Sequence, residues 1–158
     1  MEEKFYLTKK GLDRIQKEYQ NLLDFKAGKI KDEAPTMWHS EEVNPEYLPY
    51  QEDMSSLDSK LAELEAILKN AEVIAPPPKD KRHTVHLGAT VTLEEESTNV
   101  INEYMLLGTL EASPMEGKIS SASPVGRELL GKQVGETIVI SSPIKVVYRV
   151  KRITYLLK

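Results

Sequence analysis

The sequence predicts an α+β protein: an N-terminal antiparallel coiled-coil helical hairpin followed by a small domain of strands with one short helix. The first half repeats apolar residues at steps of three and four, as one face of a helix requires. The second half turns to short β-branched runs punctuated by glycine, serine and proline. Between them lies Ala75-Pro76-Pro77-Pro78-Lys79-Asp80-Lys81-Arg82, whose composition fits a short, stiff linker. These features divide the chain into a hairpin over 1–75, a linker over 76–83 and a domain over 84–158.

In the first helix the apolar seam runs through Leu12, Ile15, Tyr19 and Leu22, then Ile30. Thr8 is placed to cap its start, and Pro35 ends the pattern. The second helical stretch runs from about Pro49 to Ala71, with its seam at Leu57, Leu61, Leu64, Leu68 and Ala71. Each helix is about 35–40 Å long at about 1.5 Å per residue. Neither can bury its stripe alone, and no third amphipathic helix is available, so folding back on each other is the economical solution. An N-cap at Asn44 with Pro45 behind it would start the second helix early, with a kink at Pro49; otherwise the regular helix begins at Pro49.

In the second half, strands are expected over Val85–Leu93, Tyr104–Leu110, Glu136–Ile140 and Lys145–Ile153, the last alternating cleanly, with a turn at Ser141-Ser142-Pro143. Ser123 as N-cap, Pro124 at the first helical position and Gly131 just past the end mark a two-turn helix among them.

Bulk properties exclude several classes. The net charge of −4 argues against binding nucleic acid mainly through the chain's own charge. With no cysteine, disulfides, thiolate zinc sites and cysteine nucleophiles are ruled out. No apolar run approaches a membrane span or the core of a signal peptide, so a cytoplasmic protein without a membrane partner is expected.

The segment joining the helices, near 34–49, is chemically distinctive. From Asp32 to Ser59 there is no Lys or Arg, while Asp32, Glu33, Glu41, Glu42, Glu46, Glu52, Asp53 and Asp58 are acidic. Such a cluster repels itself unless it is solvated or paired with cations. Carboxylate oxygens suit Mg²⁺, and phosphodiester chemistry with two metals needs an ion near the attacking oxygen. A solvated acidic loop is the plainer reading. Trp38, the only tryptophan, either packs the loop onto the helix ends or meets a partner. His39 beside Glu41 lacks a second histidine at ligand spacing. Lys26, Lys29 and Lys31 line the distal first helix, either as a solvated face or toward phosphates.

Three segments resemble one family. The run Ile119-Ser120-Ser121-Ala122-Ser123-Pro124-Val125-Gly126-Arg127-Glu128-Leu129-Leu130-Gly131-Lys132-Gln133-Val134-Gly135-Glu136 is similar to the C-terminal signature of Gre transcript-cleavage factors: a serine–proline pair, a small residue, a Leu-rich turn, then Gly-Lys and Gly-acid. Leu87-Gly88-Ala89-Thr90-Val91 resembles the first strand of their C-terminal domain, and Ala62 to Ile74 the end of their second hairpin helix. Leu7-Thr8-Lys9-Lys10-Gly11 also fits.

The resemblance implies an FKBP-like C-terminal domain that docks at the rim of the secondary channel of bacterial RNA polymerase, with Ser123, Pro124 and Val125 in the docking loop. It implies a hairpin that reaches the active site, where acidic tip residues help hold Mg²⁺ jointly with the polymerase while the polymerase itself cuts the backtracked RNA 3′ end. In the family, an acid and a second acid three residues later precede Asn, a small residue, Glu and Tyr. Here Asn44-Pro45-Glu46-Tyr47 matches the latter part, making Asn44, Glu46 and Tyr47 tip contacts. Ser40-Glu41-Glu42-Val43 replaces the acid-containing part and is one residue shorter. Glu41 aligns with the first acid; the second has no direct counterpart, and Glu42 serves if the loop shifts. Glu41 and Glu42 are therefore the expected catalytic and metal-holding residues of a monomeric factor that stimulates the polymerase and is not itself a nuclease. The altered tip keeps open a Gre-like inhibitor that occupies the channel without promoting cleavage. An FKBP-like isomerase or chaperone is disfavoured, because Tyr104, Tyr148 and Tyr155 are the only aromatics available to line a pocket in the C-terminal half.

Overall fold

The computed structural model describes residues 3–33, 47–141 and 144–155, the side chains of Glu33 and Tyr47 excepted. It is α+β and divides into two compact units, one of residues 1–11 with 71–158 and the other of residues 12–70. The chain ends of the hairpin region thus belong to the strand-containing unit, beyond the boundary drawn from composition. The reason is a short parallel pair: β1 (Phe5–Leu7) aligns Phe5 with Ala71 and Leu7 with Val73 of β2 (Ala71–Val73). Leu7 is fully buried and Ile74 donates its N–H to the Leu7 carbonyl at 2.7 Å. Three-residue strands with no turn between them carry too little periodicity to be visible in sequence.

In the strand-containing unit, β3 (Ala89–Glu95), β4 (Ile101–Leu107), β5 (Lys118–Ser120), β6 (Thr137–Ile140) and β7 (Val146–Tyr155) form one sheet in the order β5-β4-β3-β7-β6. The pairs are antiparallel except β4 with β5. Val91 and Leu93 of β3, Leu106 of β4, Ile138 of β6 and Val150 of β7 point inward with Val85, Ala89 and Leu129 to make the core. The period-two alternation of these strands sends intervening residues such as Arg149 outward. Where β3 meets β7 the register shifts between Thr92 and Leu93, whose partners are Arg152 and Val150. Lys151 is the extra residue of this β-bulge, and a bulge sharpens strand twist. The short helix α3 (Pro124–Leu129) touches both β5 and β6, the two ends of the sheet order. The sheet therefore curls, and α3 closes its open side over Leu129.

The expected strands exist with shifted bounds. Val85–Gly88 is not strand: Gly88 sits at φ 92°, and Ala89 donates back to the His86 carbonyl in a turn. The proline-rich 76–83 segment is also more ordered than a plain linker. It carries a 3-10 turn at Lys79–Lys81, and the Arg82 side chain donates to the Pro77 carbonyl at 2.9 Å.

Tyr155 ties this segment to the sheet. Its hydroxyl donates to the Thr84 carbonyl at 2.6 Å and accepts from the His86 N–H at 2.9 Å. Burial holds its pKa above the usual tyrosine value, outweighing the opposing influence of the His86 hydrogen bond and Arg82. A proton held more tightly in the folded state stabilises below the unfolded-state pKa of about 10 and ceases to do so as pH rises through the folded value. Stability is therefore expected to fall above about pH 10. Tyr155→Phe should cost about 1–2 kcal/mol at neutral pH, since two backbone groups lose a partner, and should flatten the alkaline limb of a urea-unfolding series.

In the helical unit, α1 (Lys9–Glu33) and α2 (Tyr47–Lys69) run antiparallel: Lys26 pairs with Asp58, and Lys29, further along α1, pairs with Asp53, earlier on α2. Ile15, Leu61, Leu64 and Ile67 are buried, with Leu12, Tyr19, Leu22, Leu57 and Leu68 partly so. The seam expected at Ile30 is not there: Ile30 is 48% exposed. Steps of three and four continued from Leu22 fall on Lys26 and Lys29 instead. Within the described residues α2 is already helical at Tyr47, before Pro49, and the earlier start considered at Asn44 and Pro45 lies outside them. Among the described residues, no helix is long and apolar enough to cross a membrane.

Candidate functional site

The predicted site has two parts, and the structure describes one of them. Ser123, Pro124 and Val125 open α3, where β5 hands the chain to the helix. The Ser123 hydroxyl accepts from the Gly126 N–H at 3.0 Å and donates to the Ser120 carbonyl at 2.6 Å. It satisfies one of the orphan N–H groups of the helix start and fixes the preceding turn, as an N-cap should. Pro124 supplies a preset φ and lacks the donor this position would waste.

The three side chains do not share one direction. Pro124 is exposed, Ser123 is half-buried in its own hydrogen bonds, and Val125 packs against the core. The outward surface that Pro124 belongs to is a shallow groove shared with Arg127, Glu128, Val139, Ile140 and Ser141. Arg127 and Glu128 follow Pro124 at helical spacing, and Val139 is an outward position of β6. These residues did not emerge from the sequence, although the steps of three and four from Pro124 were available to find the first two. Val139, at 43% exposure, gives the groove an exposed apolar side chain.

Gly126 makes the arrangement possible. A Cβ there would lie 2.0 Å from the Ser120 carbonyl oxygen and 3.0 Å from the Ser121 Cα. The helix backbone packs directly on the β5–α3 turn, and glycine alone permits that approach.

A second clasp holds the start of α1. The Thr8 N–H and hydroxyl both donate to the Glu111 carboxylate, at 2.5 and 2.6 Å, while the Thr8 hydroxyl accepts from the Gly11 N–H at 3.0 Å. Thr8 is the N-cap that the sequence indicated, and Glu111 adds a negative charge at a helix N-terminus, where the dipole favours it. A Cβ at Gly11 would lie 2.5–2.7 Å from that carboxylate. Glu111→Ala is expected to destabilise the chain by about 2 kcal/mol, since two hydrogen bonds to a charged acceptor are lost. Thermal unfolding followed by circular dichroism checks this.

The second part, residues 34–46, lies outside the described residues. It contains Glu41, Glu42, Asn44 and Glu46, as well as Trp38 and His39; the Tyr47 side chain is likewise not described. The described flanks nonetheless alter the electrostatic picture. Asp53 and Asp58, part of the acidic run, are paired with Lys29 and Lys26 at the helix interface. Those lysines are not a solvated basic face: the Lys29 side chain is 12% exposed and the Lys26 side chain 29%.

Residues 79–155 match the family described as transcription elongation factor, GreA/GreB, C-terminal. The chain is 36% identical over 143 residues to transcription elongation factor GreA of Caldanaerobacter subterraneus subsp. tengcongensis, covering 89% of this chain and 90% of that protein. It is 34% identical to GreA of Thermomicrobium roseum over the same shares of the two chains. Among solved structures it is similar to GreA factor homolog 1 (Gfh1) of Thermus thermophilus, at 22% identity and a TM-score of 0.43, over 96% of this chain and 99% of that one.

Proposed function

The chain belongs to the GreA/GreB family of transcription elongation factors, and on that premise we propose that it binds bacterial RNA polymerase at the secondary channel and stimulates the polymerase's own cleavage of backtracked RNA. The observation that carries this reading is the match to GreA proteins along nearly the whole chain, hairpin included. The strand-containing unit, FKBP-like by resemblance, is the docking part. Its groove beside Pro124, with Arg127, Glu128 and Val139, combines an apolar floor with one charge of each sign, as a polar-rimmed protein contact needs.

Residues 34–46 carry the chemistry. Glu41 and Glu42 are adjacent carboxylates in a stretch without cations, and hard oxygen donors of this kind help hold a Mg²⁺ whose other ligands come from polymerase and RNA. The chemistry such an ion would supply is a lowered pKa for a bound water, which makes hydroxide available as the nucleophile. Asn44, Glu46 and Tyr47 contact the RNA end or the channel wall. The chain is then a monomeric cytoplasmic factor that contributes ligands and no complete active site.

The test is a Mg²⁺ titration of RNA cleavage in a stalled, backtracked complex. With the chain present, the Mg²⁺ concentration giving half-maximal cleavage should drop by about tenfold, equivalent to about 1.4 kcal/mol of added binding. An unchanged Mg²⁺ requirement would contradict the metal-holding role. The shorter segment Ser40–Val43 favours a second reading, a channel-occupying inhibitor. That reading predicts slower elongation at every Mg²⁺ concentration.

A further inference from the structure

We propose that Lys26 and Lys29 are positioning residues: a polar clasp in the seam of the helical unit that holds the distal ends of α1 and α2 together, and with them the two ends of segment 34–46. In its effect on RNA cleavage this rests on the function proposed above; in its effect on the hairpin it does not.

The inward positions of α1 are Leu12, Ile15, Tyr19, Leu22, Lys26 and Lys29, spaced three, four, three, four and three. The first four are apolar and the last two are lysines. Next to Lys29, with its side chain 12% exposed, Ile30 is 48% exposed. An isoleucine is turned out while a lysine is turned in, so on α1 the distal third of the seam carries lysines. On α2 the half-buried positions of this stretch are Tyr50, Met54 and Leu57, flanked by the exposed acids Asp53 and Asp58. Lys26 pairs with Asp58, and Lys29 lies 3.4 Å from Asp53 with its ammonium 5.9 Å from the centre of the Tyr50 ring. A lysine stem covers apolar surface while its head seeks a partner, and a cation over an aromatic face gains further attraction. Charged residues in a helix–helix seam give up packing energy and specify which groups must meet. At the other end of α2 the seam is apolar, with Leu61, Leu64 and Ile67 buried. Closure is therefore apolar at one end, while at the end that leads into segment 34–46 ion pairs from Lys26 and Lys29 flank the half-buried Tyr50, Met54 and Leu57.

The chain has no cysteine, so spin labels can be placed without background. In the full chain, labels at Ala27→Cys and Ser56→Cys, both exposed, report distal closure; labels at Glu18→Cys and Glu65→Cys, also exposed, report the rest of the hairpin. Lys26→Glu with Lys29→Glu sets acid against acid. It is expected to widen the distal distance distribution by about 5 Å or more, roughly one helical turn, and to leave the second distance unchanged. Adding Asp53→Lys and Asp58→Lys should restore the narrow distal distribution. Asp53→Asn with Asp58→Asn, at exposed acids, removes these two carboxylate charges gently and should widen the same distance if the reversal prevents folding. A distal distribution as narrow as the parent's in either variant overturns the clasp. On polymerase, the reversed variant should lose at least about tenfold in cleavage rate and the four-fold swap should recover it. Widening without loss of cleavage would overturn the positioning role. A parent chain that promotes no cleavage at all would refute the proposed function, and the distance measurements would still judge the clasp.

Discussion

Gly126→Ala is expected to lower the melting temperature by about 10–20 °C and to abolish binding to RNA polymerase. The new methyl carbon would sit 2.0 Å from the Ser120 carbonyl oxygen, 2.9 Å from its carbon and 3.0 Å from the Ser121 Cα. All three are backbone atoms, so no side-chain rotation relieves the contact, and α3 must move off the β5–α3 turn. That movement breaks the Ser123 cap and drags fully buried Leu129 out of the core. Overpacking commonly costs about 1–3 kcal/mol and more where the backbone cannot yield. For a domain of this size each kcal/mol is worth about 4–8 °C. Gly131 provides the comparison. It sits at φ 83° with nothing within 4 Å of a built Cβ, so Gly131→Ala meets only the left-handed conformational penalty of about 1–2 kcal/mol. Differential scanning calorimetry of the two variants separates them: equal losses would mean that the close approach at Gly126 does not limit the fold.

The largest functional effect is expected from Glu41→Ala with Glu42→Ala. If these carboxylates help hold the ion, their removal should slow stimulated cleavage by about 100-fold, the usual scale for deleting a group that stabilises charge at a reacting centre. Affinity for the polymerase should stay within about twofold, since the proposed docking surface lies in the other unit. Single-turnover cleavage at saturating factor, with a parallel binding titration, reads both quantities. A double variant that cleaves at the parent's rate would remove these residues from the mechanism.

What could be read from sequence followed the strength of each local signal. The caps at Thr8 and Ser123 were legible because a hydroxyl before an amphipathic run has one common use, and both hydrogen bonds are present. The apolar seam was legible as far as Leu22. Beyond it the next apolar residue on that side in the sequence is Ile30, whereas backbone geometry keeps its own period and brings Lys29 inward. Hydrophobicity is the wrong guide on α1 where a lysine stem fills an inward position. The β1–β2 pair and the Glu111 clasp were invisible for a different reason: each joins residues far apart in the chain, 103 positions for Thr8 and Glu111, and local propensity says nothing about such partners. At the start of α3, Ser123, Pro124 and Val125 were singled out as a unit, but their side chains diverge, and the exposed groove beside Pro124 draws on Arg127 and Val139 instead.

Stalling bacterial RNA polymerase in a backtracked complex, adding the chain with Mg²⁺ and resolving the RNA on a gel tests the proposed function itself. The RNA is expected to shorten from the 3′ end at least about tenfold faster than with Mg²⁺ alone, which corresponds to about 1.4 kcal/mol of barrier, and elongation to resume from the new end. RNA of unchanged length, with elongation slowed by a bound factor, would contradict it and assign the chain to the inhibitory side of its family.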